Sequence, residues 1–253
     1  SGIFQVSRWS LYYKKNILIK DEILKTKIKL IHIFDPYYWQ RRLAYTIKRN
    51  KKVITRIVQK YSLYAISRKR KFRKPWDMNL SNMAVENIKK TLEINTINKV
   101  WSTDFTHLYY KEKQFYLATV IDEYTKKIVW YSLWFYHTKE LILSSINNAI
   151  WNSNKKPIIL HSDQWSEYRS YEYLDLLRKN NIQVSMSRKS SPWENGSQES
   201  FYGKLKFELW NLNRFPTLAE AIEAIHLYIY YYNNNRIHTS LKMTPVDFAK
   251  LHS

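Results

Sequence analysis

The chain contains no cysteine. This excludes disulfides, thiolate zinc sites and cysteine nucleophiles, and it suits a reducing compartment. Glycine is scarce, with three residues in 253. Long apolar runs are missing too: no stretch approaches the ~18 residues of a membrane helix. The first residues lack the layout of a signal peptide, so the chain reads as cytoplasmic, with no membrane partner. No methionine precedes Met78, so Ser1 reads as something other than a native start and the chain as a fragment, a tagged form or the downstream part of a longer product. Acidic residues are few, 21 Asp+Glu against 42 Lys+Arg, which leaves a formal net charge of +21. That surplus disfavours an enzyme for small neutral substrates and favours a polyanionic partner, most simply nucleic acid. With 45% apolar and 16% aromatic residues, disordered and collagen-like chains are excluded.

The basic surplus is concentrated at the front. Residues 1–99 carry 24 Lys+Arg and 6 Asp+Glu, whereas residues 100–253 carry 18 and 15. A uniformly Lys-rich composition would raise both halves alike. The asymmetry fits a nucleic-acid-gripping front and a differently employed back, and there is no internal repeat.

The front half reads as helical. Asp21 and Glu22 open a segment with Ile23, Leu24, Ile28 and Ile31 at helical spacing, the acids sitting where the helix dipole favours them. Asp35-Pro36 marks a break, with Pro36 suited to a first helical position. Two short helical patterns follow, Tyr38 to Asn50 and Val53 to Tyr61, joined by Arg49-Asn50-Lys51-Lys52, an arrangement compatible with a helix-turn-helix. Arg41, Arg42, Lys48, Arg49, Arg56 and Lys60 decorate the pair and are candidate DNA phosphate contacts. The same pattern also fits a solvated basic helix pair that touches no DNA. Arg68, Lys69, Arg70, Lys71, Arg73 and Lys74 then form a basic arm suited to tracking phosphates, or a solvated linker. The expected organisation is a helical DNA-binding region over 1–74, a linker over 75–98, a catalytic core over 99–210 and a helical extension of that core over 211–253.

From Val100 the periodicity changes. Val100 to Tyr110, Gln114 to Ile121 and Lys127 to Phe135 predict three antiparallel strands. Thr138 to Trp151 predicts a helix, Pro157 to His161 a strand, Tyr171 to Lys179 a helix and Ile182 to Met186 a strand. The order implies an α/β fold with a mixed five-stranded sheet and flanking helices, preceded by the all-α region. Leu218, Ala221, Ile222, Ile225, Tyr228, Ile229 and Tyr232 form the packing stripe of a later helix.

Three acids stand out. Asp104 lies inside the first strand among aromatic and β-branched residues, a poor packing choice unless it binds something. Asp163 follows the fourth strand, where ligands gather in α/β sheets, and Glu199 begins the next helix. Singly, each also reads as an ordinary edge, turn or helix-surface residue. Together, in WSTDFTHL (101–108), HSDQWSEY (161–168) and SRKSSPWENGSQESFYGKLKFE (187–208), they resemble the DDE transposases of bacterial insertion sequences of the IS-three family. The likeness is to the second-frame product, whose core is similar to retroviral integrase. VIDEYTKKIVWY (120–131), YYNNNRIHTSLKMTPVDFAK (231–250), VSRWSLYYKK (6–15) and the 37–61 segment extend the resemblance over almost all of the chain. One departure stands at Trp165, where the family usually has glycine. If that site favours a compact or positive-φ residue, an indole crowds it. Trp39 likewise stands where a small residue is common.

The resemblance implies an RNase H-like core. It also implies Asp104, Asp163 and Glu199 as catalytic metal ligands for two Mg²⁺ or Mn²⁺ ions about 4 Å apart, with oxygen-only ligands suiting those ions. The activity implied is cleavage of the element's terminal inverted repeats and transfer of the strands into target DNA, within a homodimer or higher oligomer and with a possible first-frame partner. The implied setting is the bacterial cytoplasm, at the nucleoid. Arg188, Lys189, Lys204 and Lys206 are further candidate DNA contacts, with exposed lysine as the alternative for the last two. His107 and His161 are either ligand-orienting or packed, and Arg236 and His238 either structural or DNA-contacting. Competing readings are a catalytically impaired remnant that only binds DNA, and an RNase H-like nuclease acting on hybrids.

Overall fold

The structure, a computed structural model, describes residues 8–67, 86–188, 191–209 and 211–252; for residues 8–15, 192 and 193 only the backbone is described. The basic arm (Arg68, Lys69, Arg70, Lys71, Arg73 and Lys74), Lys189 and the first part of the expected linker therefore lie outside the described residues. The chain divides into two units, Ser1–Lys71 with Ile237–Met243, and Phe72–Arg236 with Thr244–Ser253. No described helix is long and apolar enough to cross a membrane.

The first unit holds α1 (Arg8–Phe34), α2 (Gln40–Ile47) and α3 (Lys51–Lys60). Ile28, Tyr38, Leu43, Ile54, Ile57 and Val58 form its core, joined by Ile237, whose N–H donates to the Tyr38 hydroxyl at 2.9 Å. The expected helix start at Asp21 is corrected: α1 runs unbroken through it. Asp21 is 1% exposed in mid-helix and accepts from Arg56 Nη2 at 2.6 Å and from Lys60 Nζ at 2.9 Å. Partners 35 and 39 residues away neutralise the carboxylate, so it needs no helix dipole. Pro36 does not open a helix either. The Tyr38 N–H returns to the Asp35 carbonyl at 3.1 Å in a tight turn, and α2 begins only after Trp39, which is extended at φ −79°. Between α2 and α3, Lys48 takes a left-handed conformation (φ 54°, ψ 50°). The Asn50 side chain then caps α3 by accepting from the Lys52 N–H at 2.8 Å.

The second unit is built on a five-stranded mixed sheet ordered β3-β2-β1-β4-β5. Its strands are β1 (Val100–Tyr110), β2 (Lys113–Asp122), β3 (Ile128–Trp134), β4 (Ile159–Ser162) and β5 (Gln183–Met186). β1, β2 and β3 pair antiparallel as a meander, while β4 runs parallel to both β1 and β5. Strand alternation sends Trp101 and Val120 to a face covered by α4 (Lys139–Trp151) and α5 (Tyr171–Lys179). Leu108, Tyr110, Phe115, Leu117 and Ile121 go to the other face, under α6 (Gly196–Glu208) and α7 (Leu218–Asn234), and α8 (Pro245–His252) follows. Asp104 has the parity of Leu108 and Tyr110, so it belongs to the α6 face. Ahead of β1, residues 86–98 dock on this unit. The Met186 N–H donates to the Glu86 carbonyl at 3.3 Å, and Lys89 pairs with Glu123 at 2.6 Å.

Candidate active site

Asp104 sits midway along β1, opposite Thr119 of β2. Asp163 follows the C-terminal end of β4, and Glu199 lies in the first turn of α6. The three line one cleft of about 610 Å³ together with Gln164, Trp165, Arg169, Arg188 and Asn195. Residues up to 95 positions apart in sequence are thus brought to one opening.

A buried polar clasp sets the position of α6. Gln198 is fully buried and donates to the carbonyls of Ser102 (2.7 Å) and Thr119 (3.2 Å), while its own carbonyl accepts from the Thr119 hydroxyl at 2.6 Å. One turn on, the Tyr202 hydroxyl donates to the Asp104 carbonyl at 2.6 Å. Gln198 thereby locks to β1 and β2 the turn of α6 that carries Glu199. The sequence reading missed Gln198 and Tyr202. Their signal was a polar pair at i, i+4 on the inward face of the Glu199 helix.

The electrostatics suit cations. Burial, then the charge of Asp163 and that of Glu199, push the Asp104 carboxyl well above the usual carboxylate range, although the Phe105 N–H donates to it at 2.8 Å. Asp163 is pushed up to about 6, mainly by burial. Acids held this way favour protonation or a bound cation. The donor set, carboxylate oxygens without sulfur, fits a hard divalent ion such as Mg²⁺ or Mn²⁺. Among the described residues no group of three or more His, Asp or Glu side chains is placed to hold one metal ion. The acids therefore do not form a three-ligand cage.

The other candidates fall into distinct settings. Lys206 on α6 feels opposing influences: partial burial draws its ammonium below the usual value, and Asp104 draws it back. Lys204 donates to Ser200 Oγ at 2.7 Å. Arg188 lines the cleft, its N–H held by Glu194 at 2.8 Å. Arg41, Lys48 and Arg49 are exposed; Arg42 is half-buried against the Tyr37 carbonyl at 3.4 Å; Arg56 and Lys60 are committed to Asp21. His161 is fully buried, with Nδ1 2.9 Å from Ser185 Oγ, and burial first, then the Lys89 charge, lowers it to about 3, so it is a packed neutral histidine. His107 is exposed and lines a separate hollow with Lys206. Arg236 is 2% exposed and grips Glu208 through Nε at 2.8 Å, a structural role. His238 pairs with Ser240 Oγ at 2.8 Å.

The crowding expected at Trp165 is not found. Its backbone is ordinary and extended (φ −60°, ψ 154°), where any L-residue fits, and its indole turns out of the loop, 57% exposed, on the cleft wall. The loop is held instead by Asp163, whose carboxylate accepts from the Trp165 N–H at 3.2 Å.

Comparison with known proteins adds to this geometry. An integrase core domain family matches residues 95–192, and a second integrase core domain family matches residues 180–245. The transposase for insertion sequence element IS904 of Lactococcus lactis subsp. lactis is 35% identical over 245 residues, 93% of this chain and 96% of that protein. The putative transposase InsK for insertion sequence element IS150 of Escherichia coli K12 is 28% identical, over 96% of this chain and 90% of its own. Among solved structures, the HTLV-2 integrase catalytic core domain in complex with magnesium superposes with a TM-score of 0.52 at 21% identity, covering 62% of this chain and 98% of that one. A simian T-cell lymphotropic virus intasome in complex with a PP2A regulatory subunit superposes at 0.55 and 19% identity, over 89% of this chain and 74% of that one. At those identities the likeness shows a shared integrase-core, RNase H-like fold.

Proposed function

This chain belongs to the insertion-sequence transposases that carry an integrase core domain, and on that premise we propose that it binds the terminal inverted repeats of its element, cleaves them and joins the freed strands to target DNA. The observation that carries the reading is the gathering of Asp104, Asp163 and Glu199 on one cleft, with Asp104 and Asp163 raised above the usual carboxylate range. Asp104 and Asp163 on one side, and Asp104 and Glu199 on the other, would each hold a divalent ion. Such ions, when bound, supply the Lewis acidity and charge neutralisation that an in-line phosphodiester displacement needs.

The remaining work belongs to the chain itself. Gln198 and Tyr202 hold the Glu199 helix against the Asp104 strand. Arg169, Arg188 and Lys206 offer positive charge at or beside the cleft for the backbone of the strand being cut. The helical unit contributes exposed Arg41, Lys48 and Arg49 for duplex phosphates. Two ends must be brought together, so a dimer or larger assembly is part of the proposal. The comparisons give no support to a first-frame partner, and the proposal does without one. The reading as an inactive remnant drew on Trp165, and the unstrained backbone there removes that ground.

The test is a strand-transfer assay with labelled element ends and Mg²⁺ or Mn²⁺. Glu199→Gln and Asp104→Asn are expected to lose joined products by at least about a hundredfold, more than the 10–100-fold ordinarily lost with an outer-shell partner of a metal, while retaining end binding. Binding without metal-dependent joining in the wild-type chain would instead favour the DNA-binding remnant. Cleavage of RNA–DNA hybrids without end preference would favour a hybrid nuclease.

A further inference from the structure

We propose that Trp165 is a stacking platform for an unpaired base beside the scissile phosphate, so that the substrate this site accepts is a DNA end locally opened from its duplex. The inference rests on the DNA-processing reading above and deepens it. Other aromatic rings of this unit are exposed as well, among them Trp134, Trp151 and Tyr171, so what marks Trp165 is where it stands. Here the indole is 57% exposed and lines the same cleft as Asp104, Asp163 and Glu199.

The exposure is built rather than incidental. The Trp165 backbone is fixed on both sides: its N–H donates to Asp163 at 3.2 Å, and its carbonyl accepts from the N–H of fully buried Tyr168 at 3.1 Å. Phe105, the neighbour of Asp104, meets the indole edge-on with ring centroids 6.1 Å apart. Phe105 is in turn packed on His137 at 4.1 Å, and His137 is tied to Glu167 at 3.2 Å. The ring is therefore braced from behind and open in front.

A braced open ring beside cations has the composition of a single-strand site, in which bases stack on aromatic faces while arginines follow the phosphates. Arg169 and Arg188 line the same cleft and are exposed. A base inside a continuous duplex has both faces covered by its stacked neighbours, so at a junction with DNA on both sides stacking on the indole requires the nucleotide to leave the stack. Such unstacking costs free energy, which a stacking surface offsets.

The test measures binding of the full chain to a duplex copied from the element's end, with the nucleotides flanking the cleavage junction left unpaired. The control is the same duplex with abasic residues at those positions. The wild-type chain is expected to prefer the base-containing end by about tenfold, the scale of one base–aromatic stack. Trp165→Ala is expected to bind both probes alike, at the level the wild type shows for the abasic one, and Trp165→Phe to keep most of the preference. A preference that persists in Trp165→Ala, or none in the wild type, overturns the platform while leaving the DNA-processing reading intact. If the wild-type chain binds neither probe, that underlying reading fails and the platform fails with it. Since the indole is exposed, loss of fold is not expected in either variant, and equal affinity for the abasic probe across the three proteins verifies this.

Discussion

Several residues here take a left-handed conformation that, Asn98 and Asn181 apart, their side chains do not favour. Glycine is scarce, and left-handed positions are filled by Lys48, Ser62, Asn98, Lys111, Lys126, Asn181 and Lys242. A side chain at such a position costs roughly 1–2 kcal/mol per residue. Lys48 ends α2 in a Schellman arrangement: the Arg49 N–H reaches the Ala44 carbonyl at 3.0 Å and the Lys48 N–H the Tyr45 carbonyl at 3.3 Å. Lys48→Gly is therefore expected to stabilise the helical unit by roughly 1 kcal/mol, read as a raised urea midpoint. The same variant is expected to weaken duplex binding, because an exposed lysine is removed. Stabilisation with unchanged DNA affinity would take Lys48 out of the interface. Trp165 teaches the converse lesson. The family resemblance, which implies glycine at this position, raised the expectation of a strained site, and only the dihedral angles, which no single sequence displays, show that the backbone here does not need glycine.

At the scale of elements, the strands were legible because their signals are local. β1 runs Val100–Tyr110 and α5 Tyr171–Lys179, as alternation and helical spacing indicate. The three acids were legible from the motifs around them. What stayed hidden depends on partners far away in the chain. The start assigned at Asp21 erred because Arg56 and Lys60 neutralise that carboxylate from another helix. Glu123 passed for part of a polar break, yet it is buried between Lys89 at 2.6 Å and Lys126 at 2.8 Å. Burial alone would raise its pKa; the two ammonium groups overcome that and hold it at about 2. A folded pKa below the ordinary carboxylate value adds stability that is complete above about pH 4.5 and is lost as pH falls toward 2. The drop corresponds to roughly 3 kcal/mol. Glu123→Gln is expected to flatten acid unfolding over that window while lowering stability at neutral pH, because Lys89 and Lys126 lose their partner. The clasp on α6 gives a second element-scale prediction. Gln198→Leu takes the side-chain donor from the Ser102 and Thr119 carbonyls and leaves the Thr119 hydroxyl with only Tyr202, at 2.8 Å, in a buried site, an expected cost of roughly 2–4 kcal/mol. Strand transfer should fall further than end binding, since Glu199 is displaced while the helical unit is untouched. Equal losses of both would assign Gln198 to folding alone.

For the whole molecule the governing fact is that the positive surplus lies in residues 1–99, 24 cations against 6 acids, while the sheet unit's sequence is close to balanced. Cations that neutralise DNA phosphates release counterions, so affinity falls with salt in proportion to the number of contacts, and each phosphate contact removed lowers the slope of log affinity against log salt by about 1. Not every cation in the surplus is free to count. Arg56 and Lys60 are tied to a buried carboxylate, and both have their pKa raised, first through their hydrogen bonds to Asp21. Arg41 and Arg49 are exposed on the same unit. Arg41→Ala and Arg49→Ala are expected to reduce the slope by about 1 each without changing thermal stability. Lys60→Ala is expected to do the reverse, lowering stability by uncovering half of the compensation for Asp21 and leaving the slope nearly unchanged. A salt titration of binding to an element-end duplex, run beside thermal melts of the same three variants, separates the two roles. If Lys60→Ala reduces the slope as much as Arg41→Ala, its ammonium leaves Asp21 for phosphate when DNA binds, and the ion pair becomes a competitor of the nucleic acid rather than a fixed part of the fold.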